Sequence, residues 1–286
     1  MSKKVKISCD STVDLPIELI EKYQLTINPM PVVIDGKTLR DGVDAKPADL
    51  FAYTKSTGKL ATTSAPNTED YTQLFSNLTA DGSEIVHFPI GSGFSGSYNF
   101  ARLAALEMEG VYVVDTKNLS TGIALLVLKA AEMAEAGASA AEIAAMVDET
   151  APYIDASFVI DNLEFLHKGG RCSSVAMLGA NVLKLKPCIE VTDGAMAVGK
   201  KYRGKYSDVL LTYAKERLEN IDNIDTKRIF LTHTCQDEAL ALSVYDYVKS
   251  LGKFDEVILT TAGCTISAHC GPNTLGVIYI GKNPKA

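Results

Sequence analysis

Residues 84–114 read EIVHFPIGSGFSGSYNFARLAALEMEGVYVV, and the order of residue types in this stretch decides the fold. Glu84-Ile85-Val86-His87-Phe88 has the short β-branched and aromatic character of a strand, a Gly/Ser turn follows, the apolar spacing from about Tyr98 to Met108 predicts a helix, and Val111 to Val114 predicts a second strand. Strand, helix and strand in about 30 residues make a crossover unit, which requires parallel pairing. Working outward, Val5-Lys6-Ile7-Ser8-Cys9 is another strand, and Ser11-Thr12-Val13-Asp14-Leu15-Pro16 caps a helix running to about Tyr23. Thr121 to Ala136 is helical and stops at Gly137, and Ser139-Ala140-Ala141-Glu142 is a capping-box start for the next helix. Beyond Pro152 the pattern changes. Ile189-Glu190-Val191-Thr192 and Met196 to Tyr202 flank Asp193-Gly194, a two-residue hairpin signal that implies antiparallel pairing. Arg228 to Thr232 and Glu256 to Thr260 flank a helix from Asp237 to Leu251, and the run Leu275 to Ile280 closes the sheet. The expected fold class is α/β with two domains. Residues 1–155 form a Rossmann-like, mostly parallel sheet with helices on both faces, residues 156–286 form an α+β domain with a mixed or antiparallel sheet, and a ligand sits in the cleft between them.

Composition narrows the function classes. The 286 residues carry 28 Lys+Arg against 35 Asp+Glu, a net charge of −7, which is the wrong sign for neutralising nucleic-acid phosphates. The most apolar run, Gly122 to Leu128, is stopped by Lys129, far short of the roughly 18 residues that span a bilayer, so at most transient membrane contact is expected. Met1-Ser2-Lys3-Lys4-Val5-Lys6-Ile7 reads as a basic lead into a strand rather than a signal-peptide core, and the expectation is a soluble, cytoplasmic protein. The six cysteines contain no Cys-x-x-Cys pair and are expected to be small reduced core residues, with no metal site.

Hydroxyl residues cluster where strands hand over to loops: Cys9-Asp10-Ser11-Thr12, Gly91 to Ser97, Val114-Asp115-Thr116 and Leu231-Thr232-His233-Thr234. Such positions suit either helix capping or a compact anion. Gly91-x-Gly93-x-x-Gly96, with Asp115 placed 19 residues on, fits a dinucleotide fingerprint and supports an alternative function as an NAD-binding oxidoreductase. A serine-hydrolase pairing of Ser95 with His269 lacks the final glycine of the nucleophile elbow. Asn162 to Arg171 reads as an amphipathic helical turn, a glycine stop and an arginine on a loop before the Ser173-Ser174 cap of another helix. Ser267 to Thr274 reads as a turn between two strands that carries His269.

Taken in order, Asp10-Ser11-Thr12-x-Asp14, Thr63-Ser64-Ala65-Pro66, Gly93-Phe94-Ser95-Gly96-Ser97-Tyr98, Asp115-Thr116, Leu163-x-x-Leu166-x-Lys168-Gly169-Gly170-Arg171 and His269-x-Gly271-Pro272 resemble the DegV family from about residue 4 to 282. The resemblance implies a non-catalytic, cofactor-free protein that holds a long-chain fatty acid between two α/β domains. It also implies a role like that of the binding subunit of bacterial fatty acid kinase, which presents the carboxyl group to a separate ATP-using kinase for conversion to acyl phosphate. By motif position Thr63 and Ser95 would bond the carboxylate with the Gly96 amide nearby, His269 would join them, and Arg171 would meet the phosphoryl group at the pocket mouth. Thr62 and Ser64 are additional candidates, and which of Thr62 and Thr63 points inward is open. No Gly-x-x-x-x-Gly-Lys-[Ser/Thr] motif accompanies them, in keeping with a separate kinase. An aliphatic wall for the acyl chain is expected in the helix Val175 to Leu183.

Overall fold

The computed structural model describes residues 3–173 and 185–285. In chain order the first half contains β1 (Val5–Asp10), α1 (Ile17–Lys22), β2 (Thr26–Asn28), β3 (Pro31–Ile34), β4 (Lys37–Arg40), α2 (Pro47–Thr57), β5 (Thr62–Thr63), α3 (Thr68–Thr79), β6 (Glu84–Phe88), α4 (Ser97–Ala105), β7 (Val111–Val113), α5 (Thr121–Glu135) and α6 (Ala140–Thr150). The second half contains β8 (Ile154–Val159), α7 (Glu164–Gly169), β9 (Lys186–Thr192), β10 (Ala195–Tyr202), α8 (Tyr206–Arg217), β11 (Ile224–His233), α9 (Glu238–Ser250), β12 (Glu256–Thr261), α10 (Cys264–Cys270) and β13 (Leu275–Gly281).

The first sheet has the order β2-β1-β6-β7 and is parallel throughout, as the crossover pattern predicts. Alternation along β6 sends Ile85 toward α3 and α4, where Tyr71, Phe75 and Ala101 cover it, and sends Val86 and Phe88 toward α5 and α6. The second sheet has the order β10-β9-β8-β13-β11-β12; it is antiparallel except for β11 and β12, which α9 connects. Asp193 and Gly194 both take positive φ, the geometry of a two-residue hairpin turn with matching strand twist. A third sheet, β4-β3-β5, was not anticipated; its hairpin turns at Asp35-Gly36, again with positive φ at both residues.

Every residue of α5 from Thr121 to Leu128 is buried. The helix is apolar on all sides because it lies between the sheets, touching β1 on one side and β8, β11 and β13 on the other. One apolar core therefore runs from Ile7 and Phe88 through Ile123 and Leu126 to Ala156 and Phe230. Among the described residues no helix is long and apolar enough to cross a membrane.

The third sheet and α2 pack on α10 through Val32, Leu50, Ala61, Cys264 and Ala268. The N-terminus of α10 has no capping side chain of its own. Two distant carboxylates supply the acceptors: Asp41 takes the N–H groups of Cys264 (2.7 Å) and Thr265 (2.9 Å), and Asp14 takes that of Gly263 (2.8 Å). Asp41 also accepts the hydroxyls of Thr265 and Ser11, and Asp14 that of Ser120 at 2.5 Å. Burial, reinforced weakly by the Asp41 charge, pushes the Asp14 carboxyl up to about 8.

At neutral pH Asp14 is thus mainly protonated, which an amide imitates. Asp14→Asn is expected to leave stability in urea nearly unchanged at about pH 4, where the carboxyl is protonated in the folded protein, whereas Asp41→Asn turns an N–H₂ toward converging donors and costs about 2–3 kcal/mol. A group whose folded pKa is raised gives stability that is lost as pH rises, so the wild-type protein should weaken relative to Asp14→Asn from about pH 4 and level off above about pH 8. Equal losses in both variants, or a difference independent of pH, would contradict this assignment.

Candidate functional site

His269 lies in the last turn of α10, not in a turn between strands as the sequence suggested. The helix ends at Gly271, whose φ of 75° suits glycine and where a Cβ would come within 2.7 Å of the Phe165 ring. His269 Nε2 is 2.8 Å from Thr63 Oγ1 on β5. Thr63 pairs with Val32, and the strand alternation leaves Thr62 exposed on the other side, which answers which threonine faces the histidine. Ser64 follows on the cavity wall, its N–H donating to the Pro31 carbonyl at 3.1 Å.

The imidazole lies against Gly169, where a Cβ would be 2.5 Å from Nδ1, so the Gly169 of the Lys-Gly-Gly-Arg run makes room for the ring. Gly170 ends α7 in the left-handed conformation and Arg171 follows, its guanidinium donating to the Gly169 carbonyl at 2.6 Å. Burial, and secondarily the Arg171 charge, lower the His269 pKa to about 4, so the ring is neutral at pH 7. Its Nδ1 is buried without a hydrogen-bond partner. With the ring proton on Nε2, His269 donates to Thr63 and leaves the threonine hydroxyl free to donate elsewhere.

Ser95 approaches from the loop between β6 and α4. Ser97 N–H donates to Ser95 Oγ at 3.2 Å, and the two hydroxyls are 2.9 Å apart. Ser95 has no hydrogen bond to His269, so these two residues do not form a serine-histidine nucleophile pair. Gly96 is the exposed N-cap of α4 and is not on the cavity wall.

The glycines before Ser95 serve close packing, which corrects the dinucleotide reading. A Cβ at Gly91 would lie 2.8 Å from the Asn118 nitrogen, and one at Gly93 would lie 2.0 Å from the Gly194 carbonyl oxygen at the tip of the β9–β10 hairpin. Asp115, the residue that a ribose would need, instead accepts both the N–H and the hydroxyl of Ser92, at 3.0 and 2.5 Å. The loop is filled by protein, with Lys117 and Asp193 paired across the same contact at 2.7 Å.

Thr63, Ser64, Ser95, Arg171 and His269 line one cavity whose remaining walls include Met30, Ile90, Phe94, Leu166 and Met196. A second, smaller cavity adjoins it, sharing Leu119, Phe158, Ile266 and Cys270. These apolar walls were not picked out from the sequence, because a strand or helix residue facing a cavity carries the same periodicity as one facing the core. The expected wall Val175 to Leu183 lies outside the described residues. All six cysteines are buried. Among the described residues no three His, Cys, Asp or Glu side chains are arranged to hold a metal ion.

The chain is 32% identical over 281 residues to a Thermotoga maritima protein named fatty acid-binding protein, covering 96% of each. It superimposes on a DegV family protein from Thermus thermophilus, described as fatty acid binding, with a TM-score of 0.90 and 26% identity over 97% of this chain and 99% of that one. A stearic-acid-binding protein from Eubacterium ventriosum matches with a TM-score of 0.85 and 30% identity over 99% of both chains. The model of the family described as "Uncharacterised protein, DegV family" matches residues 4–282, nearly the whole chain, and the chain belongs to the DegV family.

Proposed function

We propose that the chain binds a long-chain fatty acid between its two domains, residues 1–155 and 156–286, and presents the carboxylate to a separate ATP-using kinase in the cytoplasm. The observation that carries this reading is an apolar cavity with its hydrogen-bonding groups gathered as one set: Thr63 and Ser95, the neutral His269 behind Thr63, and the Arg171 cation. A carboxylate accepts about four hydrogen bonds and gains most from charged or well-directed donors. The apolar walls suit the hydrocarbon, whose burial contributes about 0.8 kcal/mol per CH₂. The head therefore orients the ligand and the tail supplies most of the affinity. The family relatives described as fatty acid binding support the same ligand class.

Arg171 is exposed and follows a glycine cap, so a phosphoryl group brought by a partner can reach it. Its role is with the phosphoryl group more than with the acyl chain. Acyl phosphate formation in this scheme uses the kinase's nucleotide; this chain contributes binding and orientation.

Ser95→Ala should weaken binding of hexadecanoic acid by roughly tenfold to a hundredfold, the worth of a hydrogen bond to a charged group. Arg171→Ala should change that affinity less than about threefold while lowering acyl phosphate formation with a cognate kinase much more. Calorimetry and a hydroxylamine assay separate the two; unchanged binding in Ser95→Ala removes that hydroxyl from the cradle, and parallel losses in Arg171→Ala remove the division of roles. The bound carboxylate should also raise the His269 pKa above its value of about 4, because a nearby anion favours the imidazolium. Nitrogen NMR of the ring with and without ligand reads this shift, and an unmoved titration places the carboxylate elsewhere.

A further inference from the structure

Ser97 is buried at the first position of α4, and both its N–H and its hydroxyl meet Ser95. The N–H is one of the donors that a helix N-terminus leaves without an intrahelical partner, and the N-cap, Gly96, has no side chain to receive it. Ser95 Oγ accepts it instead, at 3.2 Å, so the positive end of the helix stands behind that hydroxyl. The Ser97 hydroxyl lies 2.9 Å from the same oxygen.

The surroundings decide which of the two hydroxyls donates once an anion occupies the cavity. Ser97 Oγ is 3.9 Å from Met30 Sδ, a weak acceptor, and lies near the Tyr71 hydroxyl. Tyr71 gives its own proton to the buried Asp10 at 3.0 Å, and Asp10 is held in turn by Asn28 and the Ile90 N–H, so Tyr71 has no proton left for Ser97. A ligand that brings acceptors alone draws the Ser95 proton toward the cavity, and Ser97 then donates to Ser95. A serine hydroxyl has one proton and two acceptor sites. With the N–H and O–H of Ser97 in both acceptor sites, Ser95 can only donate. Thr63 faces the ligand in the same sense, because the His269 Nε2–H donates to it.

Resting on the fatty-acid reading above, we infer that Ser97 is a positioning residue that makes Ser95 a one-way hydrogen-bond donor, and that this arrangement selects a carboxylate over the primary alcohol of the same chain length. A carboxylate brings only acceptors and matches hydroxyls that point their protons into the cavity. An alcohol brings a proton as well, and at Ser95 it finds both acceptor sites filled, so a buried donor goes unpaired. Removing the Ser97 hydroxyl opens one acceptor site on Ser95. The acid then loses a fixed donor, while the alcohol gains a place for its proton.

The test titrates delipidated wild-type protein and variants with hexadecanoic acid and with hexadecan-1-ol. The wild-type protein should bind the acid at least about tenfold more tightly, the gain from hydrogen bonds to a charged group. Ser97→Ala should weaken the acid by roughly fivefold to tenfold, the worth of one hydrogen bond, and leave the alcohol within about twofold, so the preference narrows. In a Ser95→Ala background the hydroxyl that Ser97 orients is gone, and adding Ser97→Ala should change acid binding by less than about twofold. Ser97→Cys keeps a side chain of similar size with a weak donor; it should fall between serine and alanine, and it carries the same comparison should Ser97→Ala fail to fold. Equal losses for acid and alcohol, independent losses in the double variant, or an unchanged acid affinity in Ser97→Ala would each overturn the inference. Failure of the wild-type protein to bind the acid overturns the fatty-acid reading itself, a result distinct from binding that ignores Ser97.

Discussion

The seven-residue helix α10 is held at its N-terminus by two buried carboxylates, Asp14 and Asp41, that arrive from separate parts of the chain. Short helices have little stability of their own, so this cap and the packing around it determine where the helix lies. Asp41 ties it to the small sheet, Asp14 ties it to the end of β1, and through Ser120 the same carboxyl reaches the start of α5. From that anchor the helix presents Ile266 and Cys270 to both cavities and ends on His269, beside Thr63 of the small sheet and Gly169 of α7. The cavity is thus a consequence of how one short helix is held between α2, α7 and the small sheet.

In the proposed function this construction gives a protein with an ordinary apolar content a place for a lipid. Buried polar groups are satisfied by each other around the cavity walls, which leaves hydrocarbon facing inward even where serine and threonine line the space. In the proposed function a small set of polar groups meets the ligand head, and one of them, His269, is neutral because burial disfavours its charge. A neutral imidazole can relay a hydrogen bond to Thr63 without adding a second cation beside Arg171.

The parallel unit of residues 84–114 and the Asp193-Gly194 hairpin were legible in the sequence because their signals are local: period, turn residues and spacing. The small sheet was equally marked by Asp35-Gly36 between two strand-like runs, and was overlooked because its strands are only four and two residues long. His269 was misplaced for a different reason. Cys264 to Cys270 has a glycine at its N-cap, and the acceptors that make it helical lie more than 220 residues away in the chain. The Gly91-x-Gly93 loop shows a related limit: glycine spacing reports that something approaches the backbone closely, and here that is Asn118 and Gly194 rather than a pyrophosphate. Thr63, Ser95, Arg171 and His269, the proposed head-group residues, stand out as a set only through the ordered motifs, since each alone has an ordinary structural explanation.

The central claim is that the clamped cavity binds a fatty acid by an oriented carboxylate and a buried tail. Mass spectrometry of the protein purified from its expression host, recorded first under native conditions and then after denaturation and extraction, tests it most directly. The account predicts a native mass exceeding that of the chain by one long-chain fatty acid, with the same acid released on denaturation. A native mass equal to the bare chain, persisting after incubation with long-chain fatty acids, would contradict it.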